Sequence, residues 1–111
     1  MLIQSFRTKY VNEHNVRVLK GFYGNGETAL VVKSEHGEPL CTATVNMIDY
    51  DEVPQRGHVF LKLYAENEGV LEALQAAGIV GEPVRYIDAG FATQGVAEVP
   101  LLNPDEIEEL R

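Results

Sequence analysis

The chain has 111 residues, of which 45% are hydrophobic and 23% charged, and a formal net charge of −8. That length suits about one domain, residues 1–111, with one core, and the composition excludes disordered and fibrous classes. A single cysteine, Cys41, excludes an internal disulfide and a Cys-pair zinc site, and at an apolar-facing strand position it reads as a buried structural thiol.

The longest apolar run, Ala29 to Val32, is far too short to cross a bilayer, and the first residues lack the basic start and apolar stretch of a signal peptide. The expectation is a cytoplasmic protein with no membrane partner. The charge is regional: residues 1–33 carry a net +3 and residues 34–111 a net −11. A chain this negative is repelled by phosphate backbones, so no direct nucleic-acid partner is expected.

In chain order, "LIQSFRTKY" is a first strand candidate, followed by a three-strand meander through residues 14–46. Asn25 and Gly26 suit the centre of a type I′ hairpin turn, and Gly37 permits the second bend in "EHGEP". Cys41, Ala43, Val45 and Met47 alternate with Thr42, Thr44 and Asn46, which predicts one strand with an apolar and a polar face. A polar loop, "IDYDEVPQRG", leads to "HVFLKLY". There alternation sets Val59, Leu61 and Leu63 against Phe60 and Tyr64.

Val70, Leu71, Leu74 and Ala77 form the stripe of an amphipathic helix, with Asn67 as its expected N-cap and Gly78 as its left-handed stop. Glu66 and Glu68 read as favourable charges at its positive end, with Ile79 folding back on its last turn. "PVRYIDAG" and "GVAEVPLL" predict a last hairpin bending near "GFATQG", and "NPDEIEELR" a short C-terminal helix capped by Asn103. "GEP" occurs at Gly37–Pro39 and Gly81–Pro83 with unlike flanks, which is shared turn chemistry rather than a repeat. The predicted class is α+β: a mainly antiparallel sheet, a meander plus a final hairpin, with one amphipathic helix on one face. Leu61, Leu63, Val45, Leu71 and Leu74 are its expected core.

The search for chemistry returns little. Gly21, Gly24 and Gly26 fit a hairpin and not a phosphate loop, since no helix follows. His14, His36 and His58 lie too far apart for a local ligand pair and read as surface residues. Asp49, Asp51 and Glu52 could offer hard oxygen ligands, but Pro54 cuts the series short. No catalytic residue, metal or cofactor is predicted.

"GEPLCTATVN", "YAENEGVLEALQAAGIV" and "GFATQGVAEVP", in this order and spacing, resemble a family of small bacterial domains of unknown function carried on phages, plasmids and other mobile elements. The likeness spans about residues 28–102. It implies a bacterial or phage setting and an accessory role, and it carries over no catalytic residue.

Two functions compete. The first is a non-catalytic binding protein that meets a protein partner or a second copy of itself, in one form an acidic inhibitor or nucleic-acid mimic. Its contact would centre on Phe60 and Tyr64, with Asp49, Asp51 and Glu52 at the rim, because one helix covers only one sheet face. The second is a small metal- or water-assisted enzyme using Asp49, Asp51 and a histidine.

Overall fold

A computed structural model describes residues 2–90 and 92–110. The elements run β1 (Leu2–Arg7), β2 (Asn12–Phe22), β3 (Thr28–Lys33), β4 (Pro39–Thr42), β5 (His58–Lys62), α1 (Val70–Ala76), β6 (Arg85–Ala89), β7 (Ala92–Pro100) and β8 (Glu108–Glu109). The class is α+β, with almost all strand pairs antiparallel. One sheet has the order β1-β2-β3-β4, with β8 added parallel to β2, and the other has the order β5-β7-β6. No helix among the described residues is long and apolar enough to cross a membrane.

The β2–β3 and β3–β4 hairpins use one device. Gly26 N–H bonds Tyr23 O and Tyr23 N–H bonds Glu27 O; Gly37 N–H bonds Ser34 O and Ser34 N–H bonds Glu38 O. In each, the glycine alone takes a positive φ of 88°. Both are therefore three-residue loops, a turn closed by a left-handed glycine, and not the type I′ turn expected at Asn25–Gly26. The third residue relaxes the loop, so Asn25 avoids positive φ and its side chain binds Glu27.

The alternating run from Cys41 to Met47 is shared between the two sheets. β4 ends at Thr42, after which Ala43 still bonds Leu30 O while Thr44 bridges Leu61 and Val45 N–H bonds Phe60 O. Thr44 is buried instead of solvated: its hydroxyl accepts the Leu30 N–H at 3.1 Å and pairs with the Tyr23 hydroxyl at 3.0 Å. This crossing fastens the sheets together. Cys41, expected to be buried, is only partly so: it packs against the main core, and burial, with Glu66 nearby, pushes its thiol up to about 11.

Ile3 and Phe6 are three residues apart, so alternation would send them to opposite faces. Both are buried, because the β1–β2 pairing is interrupted opposite Gln4, where Asn15 takes a φ of 58° and resets the pleat.

The main core joins Val16, Val18, Leu30, Val32, Leu61, Val99 and the stripe of α1, with Leu71 and Leu74 where expected and Leu63 at the margin. Val45 belongs to a second, smaller cluster.

The C-terminal end of α1 follows the sequence reading. Gly78, at φ 73°, donates to Gln75 O, and Ile79 donates to Leu74 O, which satisfies two terminal carbonyls and buries Ile79. The N-terminal end does not. Gly69, at φ 94°, holds the cap position, and Asn67 lies in a separate 3-10 turn, Ala65–Asn67. Asn67 is buried and its Nδ2 donates to Thr42 O at 2.8 Å, tying this turn to β4. Glu66 and Glu68 pair with Lys62 and Lys9 instead of serving the helix.

β6 and β7 form the expected last hairpin; Phe91 lies outside the described residues. The C-terminal helix takes the form of one 3-10 turn, Pro104–Glu106, without a side-chain cap from Asn103. The chain then extends as β8 beside β2 and buries Ile107. Arg111 also lies outside the described residues.

Candidate functional site

On the sheet face away from α1, register sets Phe60, Glu98 and Arg85 side by side across β5, β7 and β6. A glutamate in the apolar run "GVAEVP" is thereby carried to the middle of a three-stranded sheet, where its side chain is 0% exposed. Every oxygen is served. Oε1 accepts Arg85 Nε at 2.7 Å; Oε2 lies 2.7 Å from His58 Nδ1 and accepts the Gln55 N–H at 3.1 Å. Burial pushes the Glu98 carboxyl upward, but the bonds from Arg85, the Gln55 amide and His58 outweigh it, and the carboxyl stays below its ordinary value.

Arg85 continues outward. Its Nη1 donates to Glu52 Oε1 at 3.0 Å, its Nη2 to Val53 O at 3.2 Å, and its guanidinium stands 5.4 Å from the Phe60 ring centroid. Glu98 is thus a post on which the 48–57 loop hangs, through the Gln55 backbone directly and through Arg85 at residues 52 and 53.

The loop has order of its own. Asn46 Oδ1 accepts the Ile48 N–H, a 3-10 turn spans Ile48–Tyr50, and Asp51 closes it at φ 57°. Tyr50 and Glu52 both donate backbone N–H groups to Met47 O, and Met47 is itself 1% exposed. On this anchored frame Ile48, Tyr50 and Val53 are 45%, 57% and 55% exposed, and they alternate with exposed Asp49 and Asp51.

The expected contact residues separate accordingly. Phe60 is 2% exposed and belongs to the second cluster with Met47, Ala89 and Val96, so the expectation of an open aromatic face there is corrected. What covers that face is the molecule itself: the crossing between sheets brings Val45 and Met47 over it, and Arg85 closes the edge. Tyr64 is half-buried beside the same cluster. Asp49 and Asp51 are exposed, and Glu52 is partly withdrawn by Arg85.

His14 and His36 are surface residues, whereas His58 is not, with 16% of its side chain exposed against Glu98. Among the described residues no three His, Cys, Asp or Glu side chains converge as metal ligands, so Asp49, Asp51 and a histidine are not brought together. Sequence reading missed Glu98, Arg85, Tyr50 and Val53. The only signal for Glu98 was a lone charge inside an apolar strand pattern, and Arg85, which shares its strand with Asp88, had none.

Comparison with protein-family models, with curated proteins and with solved structures finds no match to this chain.

Proposed function

We propose that the protein is a non-catalytic contact module whose docking element is the 48–53 loop. It offers Tyr50, Val53 and Ile48 as apolar anchors among Asp49 and Asp51, suited to a basic groove on a protein partner. The observation that carries this reading is the pairing of exposed apolar side chains with a frame fixed by a buried charge network. Large apolar side chains left in water on a loop that is held in one conformation lose little entropy when a partner covers them. Interleaved carboxylates speed the encounter and select positive surfaces. An acidic inhibitor, or a mimic of nucleic acid set into a groove built for phosphates, is the finer form of the reading. It accords with the net charge of −8 and with the accessory role implied by the mobile-element resemblance.

Photo-crosslinking tests it directly. Benzoylphenylalanine in place of Tyr50, expressed in the natural host, is expected to give a light-dependent adduct with one protein. The same group in place of Glu38, exposed on the β3–β4 hairpin, is expected to give none. Equal labelling from both positions would remove the loop from the contact.

A further inference from the structure

Asn25 is the only asparagine in the chain followed by glycine; the others precede Glu13, Val16, Met47, Glu68 and Pro104. Asn25 and Gly26 sit at the exposed tip of the β2–β3 hairpin, and a Cβ placed on Gly26 would meet nothing within 4 Å. The backbone nitrogen of Gly26 therefore has no side chain beside it and open space around it, the condition under which such a nitrogen can attack the side-chain carbonyl of the residue before it. While the turn is closed this nitrogen is occupied, because its N–H donates to Tyr23 O at 2.9 Å. A hairpin tip is among the parts of a fold that open most readily, so the bond delays the attack and does not prevent it.

The side chain of Asn25 is also where this hairpin meets the 48–53 loop. Its Nδ2 donates to Glu27 and, at 3.4 Å, to Asn46 Oδ1. The same Asn46 oxygen accepts the Ile48 N–H at 3.1 Å, where the 3-10 turn Ile48–Tyr50 begins. Asn25 is thus a donor set between two acceptors, one of them a carboxylate.

We infer that Asn25 is a site of spontaneous covalent modification and that its conversion slackens the start of the 48–53 loop. Gly26 N bonds to Asn25 Cγ, the Cγ–Nδ2 bond breaks, and ammonia leaves with the proton that Gly26 N gives up. Water then opens the cyclic imide at either carbonyl, which yields an aspartate or an isoaspartate; nothing is oxidised or reduced. Either product replaces the Nδ2 donor by a carboxylate. An acceptor then faces the Glu27 carboxylate and Asn46 Oδ1, so the bridge to Asn46 is lost and the oxygen that holds the Ile48 amide loses its own support. The isoaspartate also lengthens the main chain by one methylene, in a loop closed by backbone bonds from Tyr23 to Gly26 and Glu27. None of these steps requires that the 48–53 loop dock a partner.

The test is incubation of the full chain at mildly alkaline pH, followed by digestion and mass spectrometry, with an isoaspartate-specific methyltransferase as a second probe. The Asn25 peptide is expected to gain the mass of one amide-to-acid conversion before any peptide holding Asn12, Asn15, Asn46, Asn67 or Asn103, and to accept methyl groups as an isoaspartate does. Asn25→Gln should stay unmodified at this position over the same interval. Asn25→Asp, which installs the charge without the reaction, is expected to shift the Ile48 amide resonance and speed its hydrogen exchange while the amides of β5 keep theirs. Earlier conversion of another asparagine, an acid product at Asn25 with no isoaspartate, or an Ile48 amide unmoved in Asn25→Asp would each overturn the inference.

Discussion

Arg85 Nε stands 2.7 Å from Oε1 of Glu98, and Glu98 has no exposed surface, so the arginine is both the partner of a buried charge and the link from that charge to the surface. Strand register makes this pair, since Arg85 and Glu98 are direct partners across β6 and β7. Removing one member of such a pair strands the other in a medium that solvates it poorly. Arg85→Ala, which leaves the buried Glu98 without its cation, should therefore cost about 3 to 5 kcal/mol, a large share of the roughly 5 to 15 that holds a domain together. Urea unfolding followed by circular dichroism is the check. A midpoint unchanged from wild type would mean that Glu98 is solvated and the network unimportant.

The same carboxylate makes stability depend on pH, with a definite sign. Its hydrogen bonds hold it below its ordinary value in the folded protein, so the unfolded chain takes up the proton first as pH falls. The contribution is complete above the unfolded value of about 4.3 and fades as pH drops below it toward the folded value. Melting temperature should fall on acidification through that window, and less steeply in Glu98→Gln. Parallel pH profiles for the two proteins would show that other carboxylates govern the acid limb.

Phe60 gives a sharp test of which face is closed. Buried beside Met47, Ala89 and Val96, it should lose about 3 to 5 kcal/mol on Phe60→Ala, seen as an earlier unfolding midpoint. A stable variant that lost only association would restore the open face expected from strand alternation.

The two ends of α1 should respond to different causes. Gly78→Val places a branched side chain at φ 73° and should cost about 1 kcal/mol or more. At Gly69 a Cβ would also lie 3.1 Å from Thr8 Cα, so Gly69→Ala adds a backbone clash to the strain at φ 94° and should cost more than an ordinary cap change. Asn67→Ala leaves the Thr42 carbonyl without its donor, costing about 1 to 3 kcal/mol, and should loosen β4 rather than fray the helix. Hydrogen exchange at the α1 amides separates the outcomes: faster exchange in Asn67→Ala confined to α1 would return it to the role of a cap.

What could be read from the sequence divides along physical lines. Helix period, strand alternation and a glycine stop are local, and they located α1, its end at Gly78, β5 and the last hairpin. The N-cap failed because the helix begins only at Val70, with Gly69 in the cap position; Asn67 stands in the turn before it, its Nδ2 on Thr42 O, 25 residues away, and its buried Oδ1 on no helix amide. The run from Cys41 to Met47 alternates in sequence, yet no periodicity says that a strand changes partners midway, which here buries Thr44 and sends Ala43 and Val45 to different clusters. The site was least legible of all. Glu98 draws on residues 13, 40 and 43 positions distant, and only folding brings Arg85, His58 and Gln55 onto one carboxylate. The acidic loop was visible, but its apolar members gained meaning only once Tyr50 and Val53 proved exposed and Phe60 did not.

We propose that the 48–53 loop makes the functional contact through its apolar anchors and is steered by its carboxylates. The most direct measurement is quantitative affinity capture from the natural host on immobilised wild type, Tyr50→Ala and the double variant Asp49→Asn/Asp51→Asn, across a range of salt concentrations. Exposed Tyr50 can be truncated without opening the core, so melting temperature should stay close to wild type. One captured protein is expected, with retention that drops about tenfold or more with Tyr50→Ala at every salt concentration. Salt should weaken wild-type retention, and the double variant should lose most of that salt dependence. Equal retention of every captured protein by wild type and Tyr50→Ala would contradict the proposal.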